Sequence, residues 1–190
     1  MVLLKKPEPP DWEDRYRQAG YWCGPEPVEF LREHLADLPR GAALDLAMGE
    51  GRNALFLARN GFAVTGVEKS PTAIGKAQAR AREEGFTLTT VEADLEKSPL
   101  PAGPFDVVLC FYYLQRSLWP ALEGLLKPGG ALLMETYTIE QLQFSQGPRN
   151  PAHLLQPNEL YRAFRHWRVA HYREIIRENR ALASLLAGRI

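Results

Sequence analysis

Leu44-Asp45-Leu46-Ala47-Met48-Gly49-Glu50-Gly51-Arg52-Asn53 joins a short apolar run, Ala42–Leu46, to a stretch of helical periodicity that begins at Arg52. A buried strand that gives way to a helix through glycines marks the ligand-binding end of an open α/β sheet, where loops at the strand carboxyl ends surround a crevice. Gly49 and Gly51 let the backbone pass close to a ligand where a Cβ would collide. Taken alone, Gly49-x-Gly51-x-x-Ala54 also satisfies the dinucleotide fingerprint, and a plain tight turn would use the same residues.

Working outward, short apolar runs alternate with helical stretches, the pattern of a parallel sheet. The spacing predicts strands at Ala42–Leu46, Ala63–Glu68, Leu88–Glu92, Phe105–Phe111 and Ala131–Thr136, with helices near 52–60, 71–84 and 117–126. Gly61 and Gly85 suit left-handed positions just past helix ends, and Ser70-Pro71 supplies an N-cap followed by proline at the first helical position. Upstream, residues 11–40 read as a helical arm. Asp11 to Tyr16 form an acidic-capped turn with Trp12 and Tyr16 on one face, and Val28, Leu31, Leu35 and Leu38 lie at helical spacing up to Pro39-Arg40-Gly41. The proline-rich start, Pro7-Glu8-Pro9-Pro10, predicts a loose tail. Residues 137–157, with Gly147-Pro148 and Asn150-Pro151, read as a loop or lid, followed by a helix over Asn158–His166 and two strands, Trp167–Ile176 and Ala181–Ile190.

Three acids fall at three successive strand ends. Asp45 would face the crevice, where it suits an ammonium and would repel a pyrophosphate. Glu68 is placed to take both hydroxyls of a ribose, a role that NAD would share. Asp94 follows the third strand in Val91-Glu92-Ala93-Asp94-Leu95, where its carboxylate suits an adenine amino group and the Leu95 N–H the ring. As a single residue, Asp94 reads better as an Asx-turn or helix cap, and it is the coincidence of three acids at three successive strand ends that favours a ligand.

Residues 41–136 resemble the core of the class I S-adenosylmethionine-dependent methyltransferases, and the whole chain resembles the small tellurite-resistance-type branch. The resemblance rests on Leu44-Asp45-Leu46-x-x-Gly49-x-Gly51-Arg52-Asn53, Val67-Glu68, Asp94-Leu95, Phe105-Asp106-Val107-Val108 and Leu126-Lys127-Pro128-Gly129-Gly130. Trp12-x-x-Arg15-Tyr16 and Leu155-x-Pro157-x-Glu159-Leu160 extend it beyond the core. It implies a doubly wound, mostly parallel seven-stranded α/β sheet, the Rossmann-like methyltransferase fold, with the last strand antiparallel. It further implies S-adenosylmethionine as cofactor, with Asp45 and Gly49 at the methionine end, Glu68 on the ribose, and Asp94 and Leu95 on the adenine. Around these the implied contacts are Tyr16, Ala47, Gly51, Arg52, Asn53, Lys69, Ser70, Cys110 and Phe111. The family usually has Gly-Cys where this chain has Ala47-Met48, and the added methyl of Ala47 would tighten the floor under the methionine moiety.

Composition narrows the acceptor only by exclusion. Lys+Arg and Asp+Glu each total 23, and without a basic block there is no electrostatic footprint for nucleic acid. No apolar run approaches a membrane span, and the start is too short for a secretory signal, which predicts a cytoplasmic protein without membrane partners. At 190 residues the chain fits one domain, and Cys23 and Cys110 suggest neither a metal site nor a disulfide.

A small-molecule acceptor is the expectation: a thiol, a metalloid oxyanion or another metabolite. Methyl transfer from a sulfonium needs alignment and exclusion of water more than it needs a base. Tyr112 and Tyr113 after the fourth strand, Trp12 in the arm, and Arg149 and His171 are candidate acceptor-side residues, each equally readable as core or solvated surface. Glu135 and Tyr137 are possible base or orienting groups. A non-catalytic S-adenosylmethionine-binding module is the second reading. A nicotinamide-dependent oxidoreductase is the third, and it leaves Asp45 and Asp94 without a role.

Overall fold

The computed structural model describes residues 11–190, so the expected loose tail lies outside the described residues. Seven strands form one sheet: β1 (Ala42–Leu46), β2 (Ala63–Glu68), β3 (Thr89–Glu92), β4 (Phe105–Phe111), β5 (Leu126–Tyr137), β6 (Arg168–Arg177) and β7 (Arg180–Gly188). Their order is β3-β2-β1-β4-β5-β7-β6, parallel from β3 to β5, with β7 antiparallel to both β5 and β6. The expected seven-stranded, mostly parallel sheet with an antiparallel last strand is therefore present. Strand order reverses between β1 and β4, which opens the crevice at their carboxyl ends.

Among the described residues six α-helices flank the sheet: α1 (Trp12–Tyr16), α2 (Glu29–Glu33), α3 (Arg52–Arg59), α4 (Pro71–Glu83), α5 (Trp119–Leu125) and α6 (Glu159–Phe164). One face packs Val107, Leu109 and Leu133 against Phe30, Leu31, Leu55 and Ile74, the residues of α2, α3 and α4. The other packs Leu44, Leu46, Val108 and Leu132 against Leu122, Leu160 and Phe164, from α5 and α6. Burial on both faces explains why these strands read as near-continuous apolar runs rather than alternating ones.

Asp106, part of the family-like Phe-Asp-Val-Val run, is a structural staple. Its Oδ2 accepts the Ala42 N–H at 2.7 Å, and its two oxygens lie 2.9 and 2.8 Å from Lys127 Nζ. A Cβ at Gly41 would fall 2.1 Å from Asp106 Oδ2, so this approach requires the glycine.

Four expectations shift. The helix expected over 28–38 is only α2 followed by a 3-10 turn at Leu35–Asp37, because His34 leaves helical dihedrals at φ −107° and ψ 12° while its ring bonds Asp37. The helix expected near 117–126 opens with a 3-10 turn at Arg116–Leu118 before α5. Strand β5 begins at Leu126 rather than Ala131, pairing with Phe105 before a bulge in the ladder. The 137–157 segment, expected as a loop or lid, carries 3-10 turns at Ile139–Gln143 and Pro151–His153 and is tied down. Thr138 bridges Leu155, Leu154 and Leu155 are buried, and buried Gln141 accepts the Ala181 N–H at 2.8 Å while donating to the Asn179 carbonyl at 3.0 Å.

Candidate functional site

The glycine turn between β1 and α3 has left-handed backbone at Ala47, Gly49 and Gly51 (φ 54°, 57° and 79°). Asp45 stands beneath it, 1% exposed. The Ala54 amide donates to its carboxylate, but Oδ2 is buried with no hydrogen-bond partner. Burial pushes the Asp45 carboxyl up to about 7, opposed by the Arg52 guanidinium. A buried oxygen without a donor costs free energy unless a ligand supplies one, and an ammonium satisfies both its charge and its lone pair.

Glu68 closes β2 and holds two loops together. Its Oε2 accepts the Gly49 N–H at 3.0 Å, and its Oε1 accepts those of Lys69 and Ser70 at 2.9 and 3.0 Å. A carboxylate offers about four lone-pair sites, which leaves about one for a ribose hydroxyl. The Ser70 hydroxyl is occupied as the N-cap of α4, accepting the Ala73 N–H at 3.0 Å.

The N-terminal arm lies over this turn on its own chain. Asp11 caps α1, and buried Tyr16 reaches the glycine turn so closely that a Cβ at Gly49 would sit 2.9 Å from its Oη. Trp12 stacks on Tyr16 at 5.7 Å. Glu13 accepts the Ser70 hydroxyl and, at 2.5 Å, that of Thr72. Buried Glu50 takes the Trp22 N–H at 2.7 Å and Lys76 Nζ at 2.8 Å. Arg52 donates to the Cys23 carbonyl at 2.9 Å, and Asn53 Oδ1 accepts the Val28 N–H at 2.9 Å. The side chains of Arg52 and Asn53 thus tether the arm, while Lys69 is half-exposed with Nζ 3.9 Å from Asp11.

On the opposite flank, Asp94 forms an Asx-turn. Its Oδ1 accepts the Glu96 N–H at 3.0 Å and its Oδ2 lies 3.1 Å from Lys97 Nζ. Those contacts, the Glu96 amide foremost, hold its carboxyl below the usual range. Sequence reasoning missed Gln115. Its amide donates to the Leu95 carbonyl at 3.1 Å and its Oε1 accepts the Tyr113 hydroxyl, tying the loop after β4 to the loop after β3. A polar residue just past an aromatic strand end was the only signal.

Beyond β1 the residues separate. Cys110 is buried, with Sγ 3.5 Å from the Tyr113 carbonyl and its thiol pushed up to about 12 by burial and by Asp45, so it packs rather than reacts. Phe111 belongs to the core. Tyr112 adopts φ 56° and meets Glu135 of β5. Two candidates are not brought to the group. Arg149 donates to the Leu142 and Phe144 carbonyls, and His171, on edge strand β6, meets the His34 ring at 4.4 Å between centroids with the two rings tilted by 54°. In sheet order, the carboxyl edge therefore presents Asp94, Glu68, Asp45, Tyr112 and Glu135 side by side.

This edge fits the cofactor that the resemblance implies. The unpartnered Asp45 oxygen suits its ammonium and Glu68 its ribose, beside a glycine turn packed so closely against Tyr16 and Ala77 that a Cβ at Gly49 or Gly51 would collide with them.

Comparison with known proteins agrees. Residues 43–130 match the family described as "Methyltransferase domain". The chain is 30% identical over 159 residues to a ubiquinone biosynthesis O-methyltransferase of Paracidovorax citrulli (71% of this chain, 66% of that protein). It is 34% identical over 109 residues to the ribosomal protein L11 methyltransferase of Thermus thermophilus (56% and 42%). The crystal structure of TehB from Haemophilus influenzae superposes with a TM-score of 0.75 at 19% identity (86% and 62%). The chain spans about half the length of many of the curated relatives it matches. No helix among the described residues is long and apolar enough to cross a membrane. With its matched core, its strand order and its glycine turn between Asp45 and Glu68, the chain has the class I methyltransferase fold, and its residues 43–130 match the methyltransferase domain, whose cofactor is S-adenosylmethionine.

Proposed function

We propose that this chain is a catalytically active methyltransferase that acts on a small molecule. The observation that carries it is the buried, unpartnered Asp45 Oδ2 beside a Glu68 carboxylate already engaged on the glycine turn. S-adenosylmethionine supplies, when bound, a methyl group already activated on a sulfonium. The protein's work is then to hold, orient and dry the site. Asp45 would take the ammonium, Glu68 a ribose hydroxyl, and the Leu95 loop, stapled by Gln115, the adenine. The arm, through Tyr16 and Trp12, would exclude water from above.

A small acceptor is supported by that arm, which lies over the glycine turn and the start of α4 through Tyr16 and Glu13. Among its relatives, one is named for ubiquinone biosynthesis and another for a ribosomal protein, so relatedness does not choose between small and macromolecular acceptors. The test is to incubate the protein with methyl-labelled S-adenosylmethionine and a cell extract split by ultrafiltration. Label transferred into the low-molecular-weight fraction supports the proposal. Label confined to protein or nucleic acid overturns the small-molecule reading, and none in either fraction favours a non-catalytic binding module.

A further inference from the structure

Glu135 is a buried carboxylate, 4% exposed, that takes part in none of the ion pairs among the described residues. It is held instead by two hydroxyl donors. Tyr112 Oη donates to its Oε1 at 2.8 Å, and Ser184 Oγ, wholly buried on β7, donates to its Oε2 at 2.7 Å. Pairing in the sheet fixes where this group stands. Leu109 and Leu133 lie in register with Asp45, so Phe111, Glu135 and Ser184, two residues further along, share the Asp45 face one step nearer the strand ends.

Tyr112 is itself held in place. It occupies the left-handed region at φ 56°, a conformation that a bulky side chain adopts only when its surroundings enforce it. The enforcing contacts are the Tyr112 N–H on the Glu135 carbonyl at 2.7 Å and the phenol on the Glu135 carboxylate. The Arg52 guanidinium lies 5.5 Å from its ring centroid and the Tyr137 ring 5.4 Å away. Tyr137, whose ring meets that of Tyr112, lines a cavity of about 190 Å³ together with Gln141, Glu178 and Arg180. Charged and titratable groups facing the pair are Arg52 from α3, Tyr137 from β5 and Arg180 from β7, with Cys23 of the arm beyond Tyr137. Burial, and after it the Glu135 carboxylate, keeps the Tyr112 phenol protonated well above its ordinary range.

We propose that Tyr112 and Glu135 form a proton-accepting pair for a protic methyl acceptor, an O–H or S–H nucleophile bound within reach of the Tyr112 hydroxyl at the carboxyl edge of the sheet. The proposal rests on the methyltransferase reading above. In the step, the acceptor oxygen or sulfur forms a bond to the methyl carbon as the carbon–sulfonium bond breaks, and that electron pair stays on the cofactor sulfur. The acceptor's proton passes to Tyr112 Oη and the phenolic proton to Glu135 Oε1, so sulfonium and carboxylate charges disappear together. Tyr112 is the catalytic residue, and Glu135, which acts through it, is a positioning residue.

The test uses Tyr112→Phe, Glu135→Gln, Glu135→Asp and Ser184→Ala, with catechol, phenol and 2-mercaptoethanol as acceptor probes. S-adenosylhomocysteine affinity, measured by calorimetry, reports whether each variant keeps the cofactor site. Alkaline difference absorbance, wild type minus Tyr112→Phe, follows the Tyr112 phenol without turnover, and Glu135→Gln should bring its ionisation down in pH. In turnover, Tyr112→Phe and Glu135→Gln should lower kcat about 100-fold or more. Glu135→Asp should recover part of the loss, Ser184→Ala should lose less, and the deficit should shrink at high pH, where the acceptor ionises unaided. A pH-independent loss, an unmoved phenol titration in Glu135→Gln, or no methylation of any probe by protein that binds S-adenosylhomocysteine overturns the proposal. Failure of wild-type protein to bind S-adenosylhomocysteine instead overturns the reading on which it rests.

Discussion

Glu68 Oε2 accepts the Gly49 N–H at 3.0 Å, so the carboxylate that ends the second strand holds the turn that follows the first. Its other oxygen takes the Lys69 and Ser70 amides, and three backbone donors depend on one side chain. Glu68→Ala leaves them without it. Unsatisfied buried donors cost about 1–3 kcal/mol each. S-adenosylhomocysteine affinity should fall at least about tenfold and Tm should drop. Calorimetry and thermal denaturation check both, and a variant with wild-type affinity would show that the turn needs no such brace.

Ala47 stands at φ 54°, where a Cβ presses on the following carbonyl at a cost of about 1–2 kcal/mol. Ala47→Gly relieves that strain and loses part of the gain to greater freedom in the unfolded chain. The net expectation is a stabilisation of up to about 1 kcal/mol, read as a raised Tm. A lowered Tm would mean that the Ala47 methyl packs usefully against the neighbouring core.

Much of this was legible beforehand because the relevant signals are local. Strand runs, Ser70-Pro71 and the glycines past helix ends report on a few adjacent residues, and the structure places β1, β2 and β4 at the expected boundaries. The acids at the strand ends were legible for the same reason. Partnerships across the sheet were not. Arg52 and Asn53 read as cofactor contacts from their place in the motif, yet both reach back to an arm that precedes them by some two dozen residues. Glu135 and Ser184 meet only because β7 returns antiparallel beside β5, and no local pattern encodes that register. His171 stays exposed on edge strand β6, and nothing in the sequence announces that its ring meets His34 there.

Asp45 sets a pH dependence. Its carboxyl is raised to about 7 in the folded protein, from 3.8 ordinarily, chiefly by burial. The native state therefore holds this proton more tightly than the unfolded chain, and the group's contribution to stability falls as pH rises between those values. Asp45→Asn removes that slope and should make the ligand-free protein more stable at neutral pH. An ammonium beside the carboxylate favours the charged form, so S-adenosylhomocysteine should bind several-fold more tightly at about pH 7.5 than at about pH 6. A pH-independent affinity in wild type, or the same slope in Asp45→Asn, would remove Asp45 from this role.

Glu50 couples the arm to the body through the Trp22 amide and Lys76. Glu50→Ala breaks both contacts and leaves Lys76 with the Gln18 and Gly20 carbonyls. The arm should loosen, the tryptophan fluorescence should shift to the red, and S-adenosylhomocysteine should dissociate about 5–30 fold faster, the equivalent of about 1–2 kcal/mol. An unchanged dissociation rate would mean that the arm does not cover the cofactor.

The central claim is that Asp45, Glu68 and the glycine turn form an S-adenosylmethionine site. The most direct measurement is calorimetric titration of the purified protein with S-adenosylmethionine, S-adenosylhomocysteine and NAD, repeated on Asp45→Asn and Glu68→Ala. The predicted result is saturable binding of both adenosyl compounds, weakened in each variant, with no heat from NAD. Binding of NAD without the adenosyl compounds, or adenosyl binding that neither variant alters, would contradict it.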